Sequence, residues 1–334
     1  RADRVRAFVD AAEGLITAGY CKTASTYAAF ANSAGQRLTA RSSAAALDGV
    51  ARCDGADAVA RDAGTRLADL DAAALGARAA AKARAAVAPV DLPPGDYEVV
   101  LEPGAVGDIL ENFATFGFNG KAYAERRSFA APGAAQFDPA VTLVADVADG
   151  GLPFDAEGTP RDRTTLVTGG VTAAVAHDRR SAAATGAAST GHGGPESATW
   201  GPMPTYLRLE PGAPAPDASR ADHPAVDPAA AALVGRVARG LLVTDLWYTR
   251  VLDPRTLVVT GLTRNGIWLI EDGALAAPVS NLRFTQSYPA ALAPGAVRGV
   301  GAACGRKPGE WRGGWVSAPA LHLARWHVTG GAAG

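Results

Sequence analysis

The chain has little of what would make its chemistry easy to read. Its 334 residues include three cysteines, Cys21, Cys53 and Cys304, and a single methionine. Three is an odd number and no two are spaced as C-x-x-C, which argues against a disulfide framework and against a zinc ribbon. A reducing, cytoplasmic setting is expected. No sign of charge prevails, since 32 Lys and Arg stand against 33 Asp and Glu for a net of -1. There is thus no basic field to attract nucleic acid and no acidic tail. No apolar run reaches the roughly 20 residues of a membrane span, because the alanine-rich stretches 72–88 and 225–243 are broken by Arg, Lys, Pro or Asp. A secretory leader is not expected either, as the chain opens on an amphipathic pattern with Val5, Phe8, Val9, Ala12 and Leu15 at helical spacing. The G-x-S-x-G elbow, the Walker loop, Ser-x-x-Lys and a G-x-G-x-x-G between strand and helix are absent too, which removes the commonest hydrolase and nucleotide templates.

What is present is 48% hydrophobic and 19% charged, enough for two cores. The pattern predicts a helix from Arg4 to Ala18, then two short strands, Tyr20 to Thr26 and Tyr27 to Asn32. A turn at Asn32-Ser33-Ala34-Gly35 and a return strand from Arg37 to Ser42 follow. Asp57 to Arg84 reads as one long helix on an alanine background. Pro93-Pro94-Gly95-Asp96 then cannot continue a helix, and divides an N-terminal α+β domain, 1–92, from a larger β-rich domain, 93–334. The second begins with a strand at Tyr97 to Leu101 and a helix from Ala105 to Phe116. Short strands punctuated by Gly, Pro and Asp follow, at 141–145, 164–168, 171–177, 205–209, 241–248, 256–260, 266–271, 281–286 and 320–328. The whole is expected to be α+β. A helix is expected near Pro228 to Arg239, with Asp227 as its cap. Two Gly- and Pro-rich stretches, 210–227 and 293–312, read as connections, the second either mobile or held against a ligand or partner.

Several motifs of the second half occur in order. Asp155-Ala156-Glu157-Gly158 precedes a Gly169-Gly170 turn. His177-Asp178-Arg179-Arg180-Ser181-Ala182 and Gly186 lead to Ser189-Thr190-Gly191-His192. Gly240 to Leu246, Ile267 to Gly273 and Pro278-Val279 complete the series. This succession resembles the TldD/PmbA family, in which a zinc-bearing TldD subunit pairs with a TldE (PmbA) subunit lacking the zinc histidines. The resemblance covers most of residues 95 to 290, and it implies a longer N-terminal third than the one here.

In the family's zinc subunit, two histidines and a glutamate lie on one helix shortly after the interdomain junction. By downstream spacing, Gly104-Ala105-Val106-Gly107-Asp108-Ile109 falls where that H-E-x-x-x-H would be. No imidazole is present there, so no catalytic zinc site is expected in this chain. Asp108, Glu111 and Asn112 read as a solvated polar face of the same helix. Cys304-Gly305 corresponds to a late Cys-Gly that supplies a further ligand in the zinc subunit. One ligand alone makes no site, so Cys304 reads as structural or vestigial. His322 and His327, five apart on a strand, are expected on opposite faces. His192, with Ser189 and Gly191 in a Gly-flanked loop that the family places near its interior cavity, is the histidine of most interest. His192, Gly191, Ser189 and Cys304 are the candidate residues of a substrate chamber, and no metal or catalytic residue is assigned.

The resemblance implies a non-catalytic TldE/PmbA-like subunit of a heterodimeric zinc metalloprotease acting on unfolded or small peptides. Zinc would sit in the TldD-like partner, and the chain alone would be capable of forming a homodimer. Two alternatives stay open: a stand-alone peptide-binding protein, and a homodimeric, metal-independent amide hydrolase with Cys304 as nucleophile and a histidine as base.

Overall fold

The computed structural model describes residues 1–214, 221–309 and 314–332. The chain begins with α1 (Ala2–Ala11), β1 (Ile16–Ala31), β2 (Arg37–Cys53), β3 (Ala56–Gly64) and α2 (Ala72–Ala85). The strands form an antiparallel sheet in the order β1-β2-β3. The expected turn closes the β1–β2 hairpin, with the Asn32 side chain accepting the Gln36 N–H at 3.1 Å. Three expectations change here. The first helix ends at Ala11, because Glu13 and Gly14 take positive φ and turn the chain into β1. The two short strands are one. The first part of the expected long helix is β3, which pairs residue for residue with β2 from Asp57↔Arg52 to Gly64↔Ala45. Alanine favours a helix in isolation, but Ala58, Ala60 and Ala63 are small enough to lie flat in a buried layer, and packing overrides propensity. The helix starts only after Asp71, whose carboxylate accepts the Ala74 N–H.

The rest comprises β4 (Gly95–Leu101), α3 (Pro103–Asn112), α4 (Gly120–Ala124), β5 (Leu143–Ala145), β6 (Thr164–Thr168), β7 (Val171–Thr172), α5 (Arg179–Thr185) and α6 (Ser197–Trp200). There follow β8 (Leu207–Leu209), α7 (Ala231–Val234), β9 (Arg239–Asp253), β10 (Val258–Glu271), β11 (Ala274–Pro278), β12 (Leu282–Ser287), α8 (Tyr288–Ala291), β13 (Val297–Pro308) and β14 (Trp315–Gly331). These strands make one eleven-stranded sheet. Within it β12 pairs with both β10 and β14, so that β4, β9, β10, β12 and β14 close a ring. Closure leaves these five strands without free edges along the ring. The ring encloses Val99, Leu241, Val259, Phe284 and Trp326, all buried, and α3 packs its Ile109 and Leu110 into the same core. A second layer, Trp268, Ile270 and Val100 against Ala230 and Val234, covers part of the outer face. The fold is thus α+β and rich in strand, as expected.

The stretch 293–312 is not a connection. From Val297 to Pro308 it is a strand paired with β14, and residues 310–313 lie outside the described part. Its glycines serve close approach, not flexibility: a Cβ at Gly305 would come within 2.8 Å of Pro103. The expected helix at 228–239 is reduced to α7. The stretch 210–227 has neither helix nor strand where it is described, residues 215–220 lying outside. Among the described residues no helix is long and apolar enough to cross a membrane.

Candidate functional site

A cleft of about 360 Å³ opens where β3 and α2 meet the start of α3 and β13. Its floor is charged and paired. Lys82, from the buried side of α2, forms an ion pair with Glu102, the residue before α3, and both are almost wholly buried. Glu102 also accepts the Asp227 N–H at 2.9 Å, and Asp227 in turn holds Arg78 at 2.9 Å. Burial pushes Glu102 above the usual carboxylate range, and the adjacent Lys82 ammonium pulls it back. On the neighbouring wall Arg61 of β3 grips Asp245 of β9 through both guanidinium nitrogens, at 3.2 and 2.8 Å. Asn265 donates to the same carboxylate at 3.0 Å. These pairs join the first sheet to the ring. Sequence reasoning missed all of them, although one lysine amid the alanines of α2, in line with Leu75 and Ala79, was a legible signal of a buried charge with a partner.

Cys304 lies on β13 at the edge of this cleft. Its thiol contacts the Leu209 carbonyl at 3.6 Å. No histidine is among the described residues that line the cleft.

The opening of α3 is where the resemblance puts a zinc-binding sequence, and its residues do not fit a metal. Gly104, Ala105 and Ile109 offer no donor atom. A Cβ at Gly104 would lie 3.0 Å from the Thr244 carbonyl, and one at Gly107 would lie 2.8 Å from the stem of Lys307. Gly107 is thus closed over by Lys307, whereas Gly104 is crowded on one side and borders the cleft on another. Asp108 is buried, contrary to the expected solvated face, and its carboxylate accepts from Tyr288 at 2.7 Å, Thr249 at 2.9 Å and Asn112 at 3.2 Å. Glu111 pairs with Lys307. Burial, partly offset by Lys307 and the Tyr288 hydroxyl, raises Asp108 to about 7. Among the described residues no three His, Cys, Asp or Glu side chains gather as metal ligands.

Ser189, Gly191 and His192 lie together in a second place and are not among the residues that line the cleft. Asp178 caps α5 in a capping box with Ser181. Thr190 Oγ1 accepts the His177 N–H at 2.7 Å and bonds His192 Nδ1 at 2.9 Å. Asp155 accepts from the N–H groups of Glu157, Thr159 and Gly193, at 2.9, 2.8 and 2.8 Å. The D-x-E-G turn and the S-T-G-H loop are therefore one hydrogen-bonded unit. Gly191 has φ +71° and abuts the Pro160 carbonyl, where a Cβ would sit at 2.2 Å. Ser189 donates to the His177 carbonyl at 3.2 Å. Burial, and next the Arg161 guanidinium, lower His192 to about 3. Such an imidazole is neutral at pH 7 and a weak base, suited to holding the loop.

His322 and His327 depart from their expected arrangement. A register shift between Leu323 and Trp326 bulges β14, and a bulge reverses the alternation. Both rings thus meet carboxylates of β4, His322 with Glu98 at 2.6 Å and His327 with Asp96 at 2.8 Å.

The profile of the PmbA/TldA metallopeptidase C-terminal domain matches residues 94–330, and the chain belongs to this family. Among solved structures it is similar to TldE from Thermococcus kodakarensis, with a TM-score of 0.80 and 19% identity over 98% of this chain and 74% of that one. It is also similar to a candidate modulator of a DNA gyrase from Thermotoga maritima, with a TM-score of 0.78 and 17% identity over 98% and 73% of the two chains. A candidate modulator of DNA gyrase from Bacteroides thetaiotaomicron gives 0.77 and 18% over 98% and 71%. At these identities the likeness concerns the fold. No curated protein matches in sequence.

Proposed function

We propose that this chain is the metal-free, TldE-like subunit of a peptidase whose zinc is held by a TldD-like partner. It contributes interface and chamber wall, and activity on unfolded or small peptides belongs to the pair. The observation that carries this reading is the opening of α3. The residues that the resemblance aligns with the family's zinc-binding sequence include Gly104, Ala105 and Ile109, whose side chains carry no metal-donor atom. Cys304 remains a wall residue of the cleft.

The test is co-expression with a TldD-like chain, followed by size-exclusion chromatography, metal analysis of the separated chains and a peptidase assay. Expected are a stable pair, activity in the pair alone, and zinc in the partner. Stoichiometric zinc held by this chain after dialysis would overturn the reading. Cys304→Ser is expected to leave the pair's activity within about twofold, with a stability cost of about 1–2 kcal/mol. Loss of activity with assembly intact would transfer the chemistry to the thiol.

A further inference from the structure

On the outer face of the ring, beyond the cover of α7, three strands present a patch of exposed aromatic and arginine side chains. Trp247, Tyr248 and Leu252 of β9 are 45%, 63% and 59% exposed. The ladder puts Trp247 beside Leu262 of β10 and Leu262 beside Arg283 of β12, and sets Arg250 beside Thr260. A register shift between Thr260 and Leu262 bulges the pairing, so adjacent Trp247 and Tyr248 are both exposed while Thr249 turns inward to Asp108. Tyr248 takes φ +52° to do this, a conformation disfavoured for a bulky side chain. The Arg250 guanidinium lies 4.1 Å over the Tyr248 ring, and that of Arg264 lies 5.6 Å over Trp247.

Two carboxylates near the patch already have partners, and one of them, Asp57, also feels the Arg264 guanidinium. Asp57 is held by Arg52 through two bonds, at 2.6 and 2.8 Å. Asp253 caps its own turn, accepting from Arg255 N and Thr256 Oγ1 at 2.9 and 2.6 Å. Arg250, Arg264 and Arg283 thus form a local positive surface on a chain whose net charge is -1. Exposed Trp, Tyr and Arg held rigid by stacking are the residues that dominate protein interfaces. Rigid aromatics lose little side-chain entropy on binding, and guanidinium groups with donors to spare select carboxylates.

We infer that this β9–β10–β12 patch is the docking surface for an acidic face of the partner subunit. The inference rests on the proposed function and adds to it the surface and the charge of what meets it. Trp247 and Tyr248 form the apolar centre, and Arg250, Arg264 and Arg283 the surrounding pairs. A protein is the occupant the charge balance favours, since nucleic acid is drawn by an extended basic field and not by three arginines.

The test compares affinity for the TldD-like chain, by titration calorimetry, among wild type, Trp247→Ala, Arg250→Glu and the control Arg37→Glu, a charge reversal at the far end of the hairpin. Thermal melts verify that each variant is folded. Trp247→Ala and Arg250→Glu are each expected to weaken binding at least about tenfold, and Arg37→Glu less than about twofold. Folded variants that bind like wild type would overturn the patch and leave the pairing intact. Wild type that does not bind the TldD-like chain would overturn both. A labelled oligothymidylate is the second probe: patch-dependent DNA binding with undiminished subunit affinity would assign the surface to nucleic acid and overturn the inference.

Discussion

The two sheets of this protein solve the problem of burial in opposite ways. The first is open and packed with small side chains: Ala45, Ala51, Ala58, Ala60, Ala79 and Ala83 make up much of its core, with Phe8, Leu47, Leu70 and Leu75 as the large members. The second closes a ring around large ones, with Phe284 and Tyr288 against Trp326 at ring separations of 5.1 and 6.0 Å. Alanine layers approach closely but remove little apolar area from water per residue. The difference teaches that the first sheet depends on its junction with the second. That junction combines buried charge, Lys82 with Glu102 and Arg61 with Asp245, with a small apolar contact of Trp315 on Ala46 and Ala63.

The strongest way to break this comparison is to cut the junction. Lys82→Met leaves Glu102 buried without its cation and is expected to cost about 3–5 kcal/mol. Calorimetry should then separate the melting of the first sheet from that of the ring. Adding Glu102→Gln should restore much of the loss. A single unshifted transition in Lys82→Met would mean that the sheets are coupled by packing instead.

Next comes a pH effect confined to the ring. The folded value of Asp108, about 7, is above its ordinary 3.8. The folded state therefore binds the extra proton between these values, and stability falls as pH rises through about 7. Asp108→Asn should match wild type near pH 4 and exceed it at pH 8, by up to about 4 kcal/mol. Denaturant melts at the two pH values measure this. A constant difference would show that Asp108 keeps its charge in the fold.

A smaller effect concerns the hairpin, whose tip rests on a loop of the second sheet. Phe30 packs on Gly158, and Gln36 donates to the Gly158 carbonyl at 2.6 Å. Phe30→Ala should speed amide exchange across residues 22–44 while leaving global stability within about 1 kcal/mol. Slow exchange there would make the hairpin part of the main cooperative unit. The smallest expected change is from Gln36→Ala, about 0.5–1.5 kcal/mol in the same local opening.

In the ring, β10 was expected as two strands because Asn265-Gly266 reads as a turn, and that pair instead lies within one continuous strand, Val258–Glu271. Each strand of the ring was still legible in part, where Gly and Asp turns end apolar runs, as at Glu271–Gly273. Residues 56–64 were not, since an alanine layer carries the composition of a helix and only its register with β2 makes it a strand. Gly299, Gly301 and Gly305 suggested a loop for a related reason: a glycine needed for close backbone approach looks the same in sequence as one needed for freedom. At the site, the missing imidazoles around Gly104 could be read directly. The burial of Asp108 could not, because its partners Thr249 and Tyr288 are distant in sequence and meet it only when the ring closes.

That closure has a consequence for how the chain reaches its fold. Leu101 of β4 lies between Val243 of β9 and Leu321 of β14, so an early strand waits for two much later ones. During synthesis β4 and α3 emerge with apolar faces that nothing yet covers, and no local hairpin can shield them. The ring is therefore expected to close late, once β14 has been made, and to fold more slowly than the local hairpin of β1 and β2.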